Sequence, residues 1–141
     1  MRQILTNYVD WFRLSKGTGM IPITKESLQK LSERLDNNSI NHIVENISLL
    51  IKNFSIIRYG KYDLSTILDS LSMYIQMSNS QMVHLIEGNI HRFLISHNLG
   101  ITWSLILEQI FKVVFIEFID DSQIRFRCDN DSITITLVLN Q

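Results

Sequence analysis

Hydrophobic residues recur with helical spacing through the first part of the chain. The spacing predicts one amphipathic helix over residues 1–14, which the glycines of the 17–19 segment end. A second helix is predicted to follow the N-cap Thr24 and to continue to residue 35. After a turn at 36–38, Ser39 is the predicted cap of a third helix. Its apolar positions keep helical phase for four turns: Ile40, Ile43, Val44, Ile47, Leu50, Ile51 and Phe54.

The second part of the chain repeats one pattern, a helix followed by a β-hairpin. Asp63 is a suitable cap for the first of these helices, and the apolar spacing predicts the second over residues 101–118. Gly88-Asn89 predicts a type II′ turn, and Asn130-Asp131 marks the second turn. The predicted strands are residues 82–86, 90–97, 123–128 and 132–139.

These elements predict an α+β fold in a single domain of residues 1–141. A helical N-terminal part, residues 1–60, precedes residues 61–141. In the latter, two helix-hairpin units form a mostly antiparallel four-stranded sheet.

The two predicted hairpins differ in their faces. In the second hairpin, apolar residues alternate with polar ones, so that Arg125 and Arg127 lie on a solvent-exposed face. The first hairpin is apolar on both faces, and such strands are usually covered twice. The helices at 1–14 and 24–53, or a partner subunit, would provide the second cover. The residues of the second face are Val83, Leu85, Ile90 and Leu94.

The helix predicted at 101–118 is apolar nearly all round, with only a thin polar line at Ser104, Glu108 and Lys112. A helix of this kind is buried on several sides. In a chain of 141 residues, this surplus of apolar surface favours a homodimer, because large exposed patches rarely persist on monomers.

Charge and composition exclude several classes of function. The chain has 13 Lys and Arg against 14 Asp and Glu, so it lacks the positive field that direct nucleic-acid contact requires. Cys128 is the single cysteine, which excludes an internal disulfide framework. No signal peptide is recognisable, and charged residues interrupt the longest apolar stretch, residues 101–119. We therefore expect a cytoplasmic protein without membrane contact, and no motif predicts a cofactor.

Three histidines are candidates for a metal site. His84, His91 and His97 would project from one side of the first hairpin, and neutral imidazoles are common ligands of zinc, nickel and copper. His84 would lie opposite Phe93 and only diagonal to His91, however, and no acidic residue or cysteine stands at a tight ligand spacing nearby. Ordinary surface or boundary histidines are the alternative interpretation.

The junction between the second strand and the following helix is the most distinctive local pattern. Its residues are His97, Asn98 and Gly100, followed by Trp103. Backbone N–H groups at such a junction can hold an anion or a carbonyl oxygen of a small ligand. In the structural alternative, Asn98 caps the helix, Gly100 permits a bend and Trp103 anchors the helix in the core.

Three landmarks occur in a familiar order: the segment WFRLSK at 11–16 continuing to 23, the junction at 97–104, and a closing hairpin that contains Asp and Asn. This order resembles a domain of archaeal proteins, notably from ammonia-oxidising archaea, that follows a ribbon-helix-helix DNA-binding segment. The resemblance implies an intracellular, regulator-like protein whose appended domain dimerises or senses a ligand. No ribbon strand and helix pair precedes residue 1, so DNA binding is assigned to no residue here.

Together these observations predict a non-catalytic regulatory domain that dimerises or senses a small-molecule ligand. A metal sensor that uses the three histidines is the first alternative. The second is a small enzyme with its site at the junction near His97.

Overall fold

The computed structural model describes residues 2–19 and 21–140, without the side chains of residues 7, 11, 14 and 18. It has an α+β fold in which N-terminal helices precede two helix-hairpin units, as predicted. A short 3-10 turn, Asp121–Gln123, precedes the third strand. The helices are α1 (Arg2–Thr18), α2 (Lys25–Ser32), α3 (Asn37–Tyr59), α4 (Leu64–Met77) and α5 (Ile101–Phe115), and the strands are β1 (Gln81–Glu87), β2 (Ile90–Ser96), β3 (Ile124–Cys128) and β4 (Ser132–Val138).

Local side-chain chemistry explains where the helices begin. The Thr24 hydroxyl accepts the Ser27 N–H, and the Asp63 carboxylate accepts the Thr66 N–H, so both predicted caps are confirmed. The predicted cap of α3 is wrong. Asp36 caps that helix, and Ser39 donates its N–H to the Asp36 carboxylate over 2.8 Å.

The length of α3 also differs from the prediction. The helix continues through residues 55–57, beyond the last predicted apolar position at Phe54, because no residue that breaks a helix occurs before Gly60. Gly60 ends α3 in the left-handed conformation, with a φ of 68°. The result is a helix of 23 residues.

The four strands form one antiparallel sheet in the order β1-β2-β4-β3. The predicted pairing of the first hairpin is confirmed, with His84 opposite Phe93. The turn also agrees, since Gly88 has a φ of 62° while Asn89 is not in the left-handed region. In the strand order β1-β2-β4-β3, the two edges of the sheet are β1 and β3.

One face of the sheet packs on α4 and α5, and α3 packs on the other side of these two helices. Helix α5 is thus enclosed between α3 and the sheet, which confirms its predicted burial on several sides. Other parts of the same chain supply that cover. The largest fully buried side chains include Phe54, Phe111, Phe115, Ile51, Ile67, Leu71 and Ile95.

The other face of the first hairpin has no cover from the described residues. Val83 is 54%, Leu85 50% and Leu94 40% exposed. The prediction that helices at 1–14 and 24–53 cover this face is wrong, because α3 buries its apolar side on α4 and α5 instead. In α1 the residues of the predicted apolar stripe stay largely exposed, including Ile4, Tyr8 and Phe12, while the side chain of Trp11 lies outside the described residues.

Within the described ranges, no helix combines the length and the apolarity needed to span a membrane.

Candidate functional site

The junction between β2 and α5 is built around the buried side chain of His97. The imidazole Nδ1 lies 2.9 Å from the Leu99 nitrogen, whose N–H donates to it. Nε2 therefore carries the proton. It lies 2.7 Å from the Ser104 Oγ, to which it donates, and the Ser104 hydroxyl donates in turn to the carbonyl of Asp129 over 2.6 Å. Both ring nitrogens of His97 are used inside the protein.

This environment keeps the His97 ring neutral. Burial is the largest effect and lowers the pKa of the imidazole to about 4. The cationic side chain of Lys25 lowers the pKa further, whereas the carboxylate of Asp131 raises it. Lys25 also donates to the His97 carbonyl over 2.8 Å, which fastens α2 to the junction.

The backbone N–H groups of residues 97–100, which are among the expected donors to a ligand, are already occupied. The N–H groups of His97 and Asn98 both donate to the Asp131 carbonyl, over 2.9 and 3.2 Å. The N–H of Gly100 donates to the Asp131 carboxylate over 3.2 Å. The Leu99 N–H is directed to His97, and the other three donors tie the junction to the β3–β4 turn.

The other junction residues have structural roles that differ partly from the alternative interpretation. The N-cap of α5 is Gly100, without a side-chain hydrogen bond, so the proposed capping by Asn98 is wrong. Asn98 is exposed and takes the left-handed conformation at a φ of 56°. Trp103 is 6% exposed and belongs to the core, as the structural alternative predicted.

The structure brings two of the three candidate histidines together. The Nε2 of His84 lies 2.9 Å from the Nδ1 of His91, and the His84 ring stacks on Phe93 with a centroid distance of 4.2 Å. Partial burial, and then the neighbouring His91, lower the pKa of His84. His97 stands six residues further along the chain from His91, about 20 Å away in an extended strand. Among the described residues, no group of three or more His, Cys, Asp or Glu side chains is placed to hold a metal ion.

A cavity lies elsewhere, between α1, the end of α3 and one side of α4. It has a volume of about 620 Å³, within the usual range of small-molecule sites. Aromatic rings and thioethers supply its apolar surface. The lining residues among those described are Gln3, Thr6, Tyr8, Asp10, Arg58, Tyr59, Asp69, Ser72, Met73, Gln76 and Met77.

Three charged side chains line this cavity. Arg58 donates to the carboxylate of Asp10 over 3.1 Å, and this ion pair joins α3 to α1. Its guanidinium also lies 3.1 Å from the Met73 sulfur. Asp69 has no ion-pair partner among the residues that the structure describes. The lining therefore carries one uncompensated negative charge.

Sequence reasoning did not find this cavity. Asp10 and Arg58 are 48 residues apart, and ion pairs at such a separation have no local sequence signature. The one signal in the sequence is an amphipathic N-terminal helix with an Asp among basic residues, and that pattern is also typical of any solvated helix.

Comparison of the chain with models of known protein families finds no match, and neither does comparison with curated proteins.

Proposed function

We propose that this chain is a non-catalytic, ligand-binding domain of a cytoplasmic regulatory protein, and that the ligand binds in the cavity between α1 and α4. The cavity volume of about 620 Å³ is the observation that carries the proposal. The resemblance to a domain of archaeal regulators supports the regulatory part. The proposed ligand site does not include the junction, because both ring nitrogens of His97 are engaged in structural hydrogen bonds.

The lining indicates the chemistry of the ligand. Tyr8, Tyr59 and Met73 offer ring faces and a polarisable sulfur, which suit a flat apolar body. Asp69 offers a carboxylate that no cation of the described residues neutralises, and ring faces also attract cations. A ligand with an aromatic or apolar body and a single positive charge fits this combination.

The proposal is tested with three probes that share one ring system: tryptamine, indole and indole-3-propionate, which are cationic, neutral and anionic. Isothermal titration calorimetry and chemical-shift mapping are expected to show that tryptamine binds most tightly, at amides of α1 and α4. Asp69→Asn should weaken tryptamine binding up to about fivefold, since a charge contact at an exposed carboxylate contributes at most about 1 kcal/mol. Asp121→Asn, outside the cavity, is the matched control.

A second pair of variants tests the location. Ser72→Trp fills the cavity and should abolish binding of tryptamine. Ser65→Trp, about 10 Å nearer the N-terminus of α4 and outside the lining, should leave binding unchanged. Absence of binding for all three probes, or binding that Ser72→Trp does not affect, would contradict the proposed site.

The contact between His84 and His91 supports metal binding as a second candidate function. Two adjacent imidazoles provide half of a tetrahedral zinc site, and the remaining ligands would come from solvent or another molecule. Titration of the untagged protein with zinc should then shift the side-chain resonances of both histidines, and His84→Gln should remove the effect. Unchanged resonances at saturating zinc would end this candidate.

A further inference from the structure

Strand β1 is an unprotected edge of the sheet. Six of its seven residues are exposed, and β2 is its single partner in the sheet, so its other side faces solvent. The outward N–H and C=O groups of β1 take part in no hydrogen bond with the described residues. Such a row of unpaired groups is a template for another strand.

The two edges of the sheet differ in their chemistry. Strand β3 is five residues long and carries Arg125 and Arg127, and charges of this kind protect an edge from pairing. Strand β1 is longer and contains no lysine, arginine or proline. Only β1 therefore has the features of an edge that accepts a partner strand.

We propose that β1 pairs antiparallel with β1 of a second copy of this chain, with His84 on the two-fold axis, so that the two sheets form one continuous eight-stranded sheet. This inference is independent of the proposed ligand site. A two-fold axis requires antiparallel pairing of identical strands, and the register is then set by the residue at the axis.

The sequence of β1 is self-complementary in this register. Centring the pair on His84 places Met82 opposite Ile86 of the second copy and Val83 opposite Leu85, so apolar residues meet on both faces. The apolar patch on the open face of each sheet then continues across the axis into that of the second copy. In each copy this patch contains the exposed residues Val83, Leu85 and Leu94.

Charge also favours this register and this partner. Glu87, the one acidic residue of β1, lies opposite the neutral Gln81, and the two Glu87 side chains are about 20 Å apart. By contrast, the exposed apolar side of α1 is a poor partner for the open face of the sheet, because both surfaces carry basic residues and would repel each other. These residues are Arg2, Arg13 and Lys16 on the helix and Arg92, Arg125 and Arg127 on the sheet.

The contact is small. A strand of seven residues is about 24 Å long, so the buried area falls at the low end of specific interfaces. We therefore expect a reversible dimer with a dissociation constant in the micromolar range.

Sedimentation velocity across about 1 to 100 µM, which brackets that range, tests the oligomeric state. Leu85→Lys places a charge in the interface of each copy and should weaken association at least tenfold. Leu49→Lys is the matched control, because Leu49 is similarly exposed, at 57%, but lies on α3. Circular dichroism of both variants checks that they fold. A chain that is monomeric throughout, or a dimer that Leu85→Lys does not weaken, would overturn the proposal.

Cysteine cross-linking tests the register in a Cys128→Ser background. Directly opposite residues in an antiparallel pair have Cα atoms about 4.5–5.5 Å apart, which a disulfide spans. Under mild oxidation, His84→Cys should form a covalent dimer. Gln81→Cys and Glu87→Cys should each stay monomeric alone and cross-link when mixed. Efficient self-linking of Glu87→Cys together with failure of His84→Cys would refute this register.

Discussion

The buried imidazole of His97 makes the stability of the fold depend on pH. The pKa of this group is lowered to about 4 in the folded chain, against about 6.5 in an unfolded one. Between these two pH values, the unfolded chain binds a proton that the folded chain does not. The free energy of unfolding should therefore fall by about 1.4 kcal/mol for each pH unit below 6.5, reaching a loss of about 3 kcal/mol near pH 4. Above pH 6.5 the ring of His97 is neutral in both the folded and the unfolded chain. This histidine then adds no pH dependence to the free energy of unfolding.

The variant His97→Gln isolates this contribution. Its amide can reach Ser104 but does not titrate, so the variant is expected to be less stable at pH 7, by about 1–3 kcal/mol for the imperfect replacement of the buried hydrogen bonds. The difference in stability between the two proteins should then shrink as the pH falls from 6.5 to 4.5.

Urea denaturation at a series of pH values measures that difference directly. Other titrating groups contribute to both curves and cancel in the subtraction. His42→Gln, which replaces an exposed histidine on α3, is the control for loss of a histidine outside the junction. If the curves of the natural protein and His97→Gln stayed parallel between pH 6.5 and 4.5, the account of a neutral, desolvated His97 would be refuted.

Two further predictions concern backbone strain and thiol burial. Gly100→Ala should destabilise the fold by about 1–3 kcal/mol, because the backbone there has a φ of 86° that L-residues rarely adopt. Urea denaturation should show Gly17→Ala to be neutral or stabilising, since a Cβ in this helical position would make only an ordinary contact with Ile57, and equal effects of the two changes would contradict the strain argument. The thiol of Cys128 should react with a disulfide reagent at pH 8 about a thousandfold more slowly in the folded than in the unfolded chain, since burial, with a contact to Glu108, raises its pKa to about 12. A fast folded-state reaction would show that the thiolate is accessible.

Much of the secondary structure followed from local patterns. Asp63 and Thr24 cap helices because their side-chain oxygens meet N–H groups only three residues away. Gly88-Asn89 closes the first hairpin for an equally local reason, the positive φ of glycine. The start of α3 was misplaced because Asp36 and Ser39 are both good capping residues, and the sequence alone does not rank them.

The candidate site was less predictable. The sequence singled out the junction near His97 but did not predict its structural role. The acceptors for its backbone N–H groups belong to the β3–β4 turn, which is far away in the sequence. Asp131 is 31 residues beyond Gly100, whose N–H it accepts, and Asp129 is 25 residues beyond Ser104. Hydrogen bonds across such separations leave no periodic signal in the sequence.

Periodicity and capping by themselves determined that this chain has helices first and an antiparallel sheet afterwards, and which strand residues share a face. They did so because side-chain direction along a helix or a strand depends on backbone geometry alone. Which surfaces meet was decided only by the tertiary structure. Helix α3 packs in the helical layer rather than on the open face of the sheet, and so leaves β1 and Leu85 exposed, because burial of apolar area depends on the shapes of elements far apart in the chain.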